Sequence, residues 1–263
     1  DEGGHVAVAT ADAGGLGVFA YGSDAQAPHT LLPSGDPGTC AFSGDPEDAG
    51  SGFPRTLTET GCYTDLATRT LVPGAIPYEV TAELWSDDAA KRRFLLLPLG
   101  EVMTYSGFRA WKVPVGTVLI KEFLAPAAVG SAAVIMETRF MVRRTAESWG
   151  MYSYRWNQDG TEADLQPDAE EVGTYPVAKG APATHEHVFP SREQCAKCHL
   201  KGQEPLGITT YQLNRPVAYA DTTDHQIRAL AWAGLVDGLP DGALGELPTL
   251  PDPGDGSRDD EAR

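Results

Sequence analysis

The sequence predicts a mainly β protein with an antiparallel β-sandwich or jelly-roll-like core, a long irregular N-terminal arm and a small helical segment near the C-terminus. Between residues 76 and 190, short runs rich in Val, Ile, Phe, Tyr and Trp alternate with Gly, Pro and Asn-containing turns, which is typical of antiparallel sandwiches. After residue 191 the apolar residues recur with a helical period. The 263 residues, of which 41% are hydrophobic, suffice for one large domain or two small ones.

The predicted elements follow in chain order. Residues 1–56 are rich in Gly, Ala, Asp and Pro and should form the irregular arm, with "HVAVAT" and "LGVFAYG" as short strands. Residues 57–190 should form the sandwich-like domain, beginning with a stretch (57–74) whose middle favours a short helix. The turn Asn157-Gln158-Asp159-Gly160 after an aromatic strand predicts a β-hairpin.

Residues 191–240 should form the helical segment, and residues 241–263 an acidic tail or linker. Ser191 is a candidate helix N-cap, and Gln194 stands three residues later, which is the spacing of a capping box. A second helix is expected within 224–238, where apolar residues line one face.

The net charge and the N-terminus bear on the class of protein and on its processing. The formal net charge of -17 disfavours binding to nucleic acid, because that requires a basic surface. The sequence contains no run of 18 apolar residues, so no transmembrane segment is predicted. The sequence starts at Asp1 without Met or a leader, so we expect a mature chain from which a signal peptide has been removed.

Four cysteines form two pairs in the sequence. Cys40 and Cys62 flank a Gly-, Ser- and Asp-rich stretch, which predicts a loop-closing disulfide that stabilises the fold by about 3 kcal/mol. Such a bond indicates an oxidising compartment, either the periplasm or the extracellular space. The alternative is a pair of unrelated buried thiols.

The motif Cys195-Ala196-Lys197-Cys198-His199 predicts a covalent haem c. Two thiols separated by two residues match the spacing of the haem vinyl groups, and the histidine that follows is placed to bind the iron. A Cys2His2 zinc site with His185 and His187 is an alternative, as is a plain disulfide. A thioredoxin-like motif would need a βαβ context, which the sequence does not predict.

His199 is the predicted proximal ligand, with Pro205 or Leu206 covering one haem face. For the sixth ligand we rank Met151 and His187 first, since an aromatic strand surrounds Met151 and His187 lies shortly before the motif. Lower-ranked candidates are Met103, Met136, Met141, His185 and His225.

The stretch from Trp85 to Arg93 alternates acidic and basic residues. A salt-bridged loop entering a strand is the favoured interpretation. The functional alternatives are metal binding by Asp87 and Asp88, or a propionate clamp formed by Arg92 or Arg93.

Several segments together resemble a bacterial family of exported CxxCH proteins, whose members often occur beside or fused to soluble quinoprotein sugar dehydrogenase-like domains. The resemblance covers roughly residues 57–240 and lies in "LTETGCYTDLATRTLVPGAIPYEVTAELWSDDAAKRRFLLLPLG", "FRAWKVPVGTVLIKEF", "ETRFMVRR", "YSYRWNQDGTEADL", "FPSREQCAKCH" and "LGITTYQLNR". It implies a haem c at the CxxCH motif and a redox role next to a dehydrogenase. Family members continue into a second CxxCH segment, whereas this sequence has one.

Three functions are compatible with these features. The first is an electron carrier, with one haem c passing single electrons to a redox partner such as a quinoprotein dehydrogenase. The second is a haem enzyme or ligand sensor with an open distal site, and the third is a secreted interaction protein in which haem is structural. We favour the first, because no other catalytic constellation is found.

Overall fold

The computed structural model describes residues 38–126, 133–177, 183–199, 205–219, 222–240 and 247–250, and also the backbone of residues 6–12 and 15–21. Sixteen strands lie in this part of the chain: β1 (Val6–Asp12), β2 (Gly15–Tyr21), β3 (Tyr63–Asp65), β4 (Thr70–Leu71), β5 (Ile76–Pro77), β6 (Ala90–Leu96), β7 (Met103–Thr104), β8 (Val118–Leu124), β9 (Ile135–Arg143), β10 (Trp149–Trp156), β11 (Ala163–Leu165), β12 (Glu171–Pro176), β13 (Thr184–Phe189), β14 (Pro216–Ala218), β15 (Thr223–His225) and β16 (Val236–Asp237). Three α-helices accompany them: α1 (Arg192–Cys198), α2 (Thr210–Leu213) and α3 (Gln226–Trp232).

One six-stranded antiparallel sheet organises the fold, in the order β11-β10-β9-β8-β6-β5. The other sheets in the described residues have two strands each. This arrangement confirms a mainly β, antiparallel fold with few helices. The second large sheet that a sandwich or jelly roll requires is not found in the part of the chain that the structure describes.

The helix face of the central sheet carries Leu95, Leu119, Met141 and Met151. These side chains join a core with residues from the C-terminal part of the chain, which are Ile208, Leu213, Ile227, Leu230 and Leu235, and with Trp111. These C-terminal residues, which include parts of α2 and α3, therefore lie directly on the sheet, because their apolar side chains need the sheet to leave water.

The disulfide face, on the other side of the sheet, carries Leu96, Ile120, Phe140 and Tyr152. It packs against an N-terminal set of buried residues, namely Phe42, Phe53, Leu57, Cys62 and Val72. Successive strand residues point to opposite faces, so continuous apolar runs such as Leu95-Leu96 reflect a sheet that is covered on both sides.

The disulfide between Cys40 and Cys62 is formed, with the Cα atoms 4.6 Å apart, which confirms the predicted bond. Residues 40–56 were expected to belong to the arm. Their backbone is largely irregular, but Phe42 and Phe53 are buried against Tyr152, so aromatic packing holds this segment on the sheet.

Local predictions were confirmed in part. The hairpin at Asn157–Gly160 is present, because β10 pairs with β11 across it. β1 and β2 pair as a hairpin, as the two short strands of the arm predicted. The helix expected in the middle of 57–74 is not formed, because β3 and β4 pair there. A single 3-10 turn at Thr58–Thr60 precedes them and ends where Gly61 adopts a left-handed φ of 67°.

The helix expected within 224–238 is shorter than the pattern suggested. It ends at Trp232, Gly234 has a φ of 67°, and Val236 then pairs with Met103 in a parallel bridge. No helix in the described residues is long and apolar enough to cross a membrane. The predicted tail lies almost wholly outside the described residues, as does most of the arm before residue 38.

Candidate functional site

Helix α1 carries the CxxC pair, and its first turn is firmly held. Ser191 is the N-cap: its backbone N–H donates to Oε1 of Gln194 at 2.8 Å, and the N–H of Gln194 donates to the Ser191 hydroxyl at 3.3 Å. This confirms the capping box. Arg192 then ties the helix to the neighbouring loops, since its backbone N–H donates to Asp168 at 2.6 Å and its guanidinium pairs with Glu47.

Cys195, Cys198 and His199 line one cleft. The two cysteines are three residues apart on α1 and therefore share a helix face, and both are free thiols. His199 caps the helix, with its backbone N–H donating to the carbonyl of Cys195 at 3.2 Å. Cys198 is exposed, while Cys195 and His199 are half-buried, so the motif stands at the cleft margin with one side open to solvent.

The cleft lies between α1 and the helix face of the central sheet and has a volume of about 250 Å³. Part of its floor is an apolar row across three strands, in which Leu119 pairs with Met141 and Met141 with Met151. The structure thus brings Met151, a predicted distal ligand, into the same cleft as the CxxCH motif. Met141, ranked lower from the sequence, lines it too.

A polar row adjoins the apolar row. Lys121 on β8 pairs with Arg139 on β9, which pairs with Ser153 on β10, and all three line the cleft. Arg139 also lies over the ring of Phe123 at 4.3 Å, and Lys121 over the same ring at 4.8 Å. The cleft floor is therefore amphipathic, with thioethers and a leucine on one side and cations on the other.

Fully buried Glu137 organises the polar side. Its carboxylate accepts hydrogen bonds from Nε and Nη2 of Arg139 at 2.5 and 2.8 Å and from the Ser153 hydroxyl at 2.5 Å. It also contacts Nε2 of His187 at 2.6 Å. Burial alone would raise the pKa of Glu137, but the attraction of Arg139 and the bonds from His187 and Arg139 outweigh it and lower the pKa to about 2. Glu137 is a permanent anion at neutral pH.

The pKa of Lys121, in the same polar row, is shifted toward the neutral form of the side chain. Burial lowers the pKa of Lys121 to about 7, and the neighbouring charges of Arg93 and Arg139 act in the same direction. Cross-strand pairing places Lys121 directly between these two arginines.

The second predicted distal ligand, His187, lies outside the cleft lining. It is fully buried on β13, between Phe123 and Phe189, and its Nε2 is engaged by Glu137. Of the two residues ranked first from the sequence, the structure therefore places Met151 but not His187 beside the motif. Met103, Met136, His185 and His225 also lie outside the lining.

Pro205 and Leu206, predicted to cover a haem face, are not among the residues that line the cleft. Pro205 is buried and accepts a hydrogen bond from Ile208, whereas Leu206 is 41% exposed. Residues 200–204, which connect them to the motif, lie outside the described part of the chain.

The Trp85–Arg93 stretch is a salt-bridged loop entering β6, as favoured from the sequence. Arg93 pairs with Glu83 at 2.6 Å, and Arg92 points to the disulfide face, where its Nε donates to Glu122 at 2.6 Å. In the region the structure describes, no group of three or more His, Cys, Asp or Glu side chains is placed to hold a metal ion.

The donor set fits a covalent haem c. Two free thiols and a histidine stand at the edge of a cleft whose floor offers apolar side chains for a macrocycle and cations for carboxylates. Burial raises the pKa of the Cys195 thiol, against a smaller opposite effect of Arg139, whereas reactive redox cysteines have lowered values. The cleft is open on the side of Cys198, so its volume does not limit the size of a group attached there.

Sequence reasoning missed Glu137, Lys121 and Arg139. A usable signal was present, since charged residues at these positions interrupt strongly apolar strands and alternate with buried neighbours.

Comparisons of the chain with models of protein families, with curated proteins and with solved structures found no match.

Proposed function

We propose that the chain is a c-type cytochrome that binds one haem c and carries single electrons between exported redox partners. The observation that carries the proposal is the convergence of Cys195, Cys198, His199 and Met151 on one cleft. A haem c supplies one-electron redox chemistry at its iron when bound. Its thioether bonds would form with the two cysteines, and the His199 imidazole would bind the iron.

Met151 is the candidate sixth ligand. It lies on β10, which pairs along its length with β9 in the six-stranded sheet and is contacted by α1, and its thioether side chain packs half-buried at the margin of an apolar core. A ligand on a rigid strand suits electron transfer, because the surroundings of the iron then change little between oxidation states.

The partner is an exported redox protein, and the family resemblance makes a quinoprotein dehydrogenase the candidate. The cysteine disulfide and the haem attachment both suit the periplasm. The net charge of -17 would guide association toward a partner with a basic docking surface.

The test is the visible spectrum and midpoint potential of the chain expressed with haem-maturation machinery. We expect a low-spin six-coordinate haem with reversible one-electron reduction. Met151→Leu, which keeps the packing but removes the sulfur, should give a high-spin spectrum, while Met103→Leu, a fully buried methionine outside the cleft lining, should not. A high-spin wild-type spectrum would overturn the electron-carrier assignment.

A further inference from the structure

Lys121 is a basic residue in the cleft floor without a paired carboxylate among the described residues. Cross-strand pairing places it in a row of three basic side chains, Arg93, Lys121 and Arg139. The outer two each have a carboxylate, because Arg93 binds Glu83 at 2.6 Å and Arg139 binds Glu137 at 2.5 Å. Within the described residues, no carboxylate lies within ion-pair distance of Lys121.

This arrangement is unfavourable for the fold alone. Like charges on directly opposed strand positions repel one another, and partial burial strengthens the repulsion. The row next to Lys121 is apolar, so a methionine or leucine at this position would extend the apolar surface formed by Leu119 and Met141. A lysine here is explained by an anion that occupies the cleft.

Arg139 offers a second donor to the same anion. Its Nε and Nη2 atoms are used by Glu137, with a further contact from Nη2 to the carbonyl of Val188 at 3.4 Å. Nη1 has no hydrogen-bond partner in the part of the chain that the structure describes. Glu137 thereby fixes the guanidinium and leaves Nη1 for another acceptor, on a residue that pairs directly with Lys121 across the strands.

We propose that Lys121 and Arg139 form a carboxylate-binding site in the cleft floor, and that this site takes a propionate of the haem attached at Cys195 and Cys198. The proposal rests on the function proposed above and specifies how the cofactor is oriented. A haem joins an apolar macrocycle to two carboxylates, and the cleft offers an apolar row beside a cationic row.

The other cations near the cleft are less suited to this role. Arg192 is used by Glu47 and Asp168. Arg92 lies on the disulfide face with Glu122. It therefore cannot form the propionate clamp that was considered for it from the sequence. Among the described residues that line the cleft, Lys121 is therefore the lysine or arginine without a carboxylate partner.

The first experiment uses the chain carrying Cys195→Ala and Cys198→Ala, which cannot attach haem covalently. Added iron protoporphyrin IX should bind about tenfold more tightly than its dimethyl ester, as one charge-assisted hydrogen bond would provide. Adding Lys121→Met should bring the ratio of the two affinities close to one, while Lys121→Arg should keep the tenfold preference for the free acid. The matched control is Lys112→Met, at an exposed position, which should also keep the ratio.

A second measurement separates a binding role from a structural one. In the haem-free chain, Lys121→Met should raise the urea midpoint of unfolding, because it removes repulsion from Arg93 and Arg139. A lysine that mainly stabilises the fold would give a lower midpoint, and that result would overturn the proposal.

The failure of this proposal is distinguishable from failure of the proposed function. Absence of covalent haem from the chain with both cysteines intact would overturn the function and this site together. Covalent haem in that chain, combined with no preference for the free acid or with a preference that survives Lys121→Met, would overturn the propionate site alone.

Discussion

Replacement of Glu137 by Gln tests the network that positions the cationic side of the cleft. Glu137 is fully buried and contacts Arg139, Ser153 and His187. Glutamine has nearly the same shape but lacks the charge, so Arg139 would be left as a buried cation without its counter-ion. Removal of one partner from a buried ion pair is strongly destabilising.

The magnitude follows from the pKa of Glu137. Folding lowers it from the ordinary value of 4.5 to about 2, and each pKa unit corresponds to about 1.4 kcal/mol. The ionised carboxylate therefore contributes about 3 kcal/mol to the free energy of unfolding at neutral pH. Because the folded-state pKa is the lower one, this contribution is complete above about pH 5 and is lost as the pH falls towards 2.

The assay is urea unfolding from pH 2 to pH 7 of the haem-free chain with Cys195→Ala and Cys198→Ala, so that cofactor occupancy does not enter. Glu137→Gln should lose about 3 kcal/mol at pH 7 and should show a flatter decline in acid than the parent. Glu186→Gln, at an exposed position on the same strand as His187, should change little. A loss below about 1 kcal/mol for Glu137→Gln, no more than a surface ion pair would give, would refute this reasoning.

Two further predictions concern the elements that hold the site. Replacement of Cys40 and Cys62 by Ser should lower the free energy of unfolding by about 3 kcal/mol, as measured by urea unfolding. If reduction of the wild-type disulfide by dithiothreitol left the free energy of unfolding unchanged, that result would contradict the prediction. Ser191→Ala should lower the free energy of unfolding by about 1 kcal/mol through loss of the N-cap, and it should lower the yield of covalent haem during maturation. Ser191→Asp keeps a capping oxygen and should restore both the stability and the yield. Equal stability of the Ala and Asp variants would show that the capping box does not hold α1.

Local sequence signals predicted the parts of the fold that depend on neighbouring residues. The capping box at Ser191, the hairpin after Trp156 and the apolar face of α3 follow from side chains within a few positions of one another. The disulfide was predictable for a related reason, since Cys40 and Cys62 close a short segment rich in turn-forming residues.

Long-range packing decided the features that the sequence did not reveal. The sandwich was expected from strand content, but the faces of the sheet are covered by the C-terminal helices and by the segment around Phe42 and Phe53. No local pattern specifies which segment covers a sheet. His187 and Met151 likewise looked equivalent from the sequence, and they were separated by strand register, which places Met151 in the cleft and His187 against Glu137.

The charged residues of the cleft floor show where sequence reasoning can be extended. Lys121 and Arg139 belong to strands that are buried on both faces, and each interrupts an apolar run. A buried charge has to be paired or used, so a charge that interrupts an apolar strand indicates a polar network or a ligand. The register between the two strands, which brings the charges together, could not be predicted from one sequence.

The most direct test of the account is a pyridine haemochrome assay on the purified chain after expression with haem-maturation machinery. The account predicts one covalently bound haem c per chain, retained after acid–acetone extraction, and none in the chain with Cys195→Ala and Cys198→Ala. A wild-type chain without covalent haem, particularly one that instead contains zinc by elemental analysis, would contradict it.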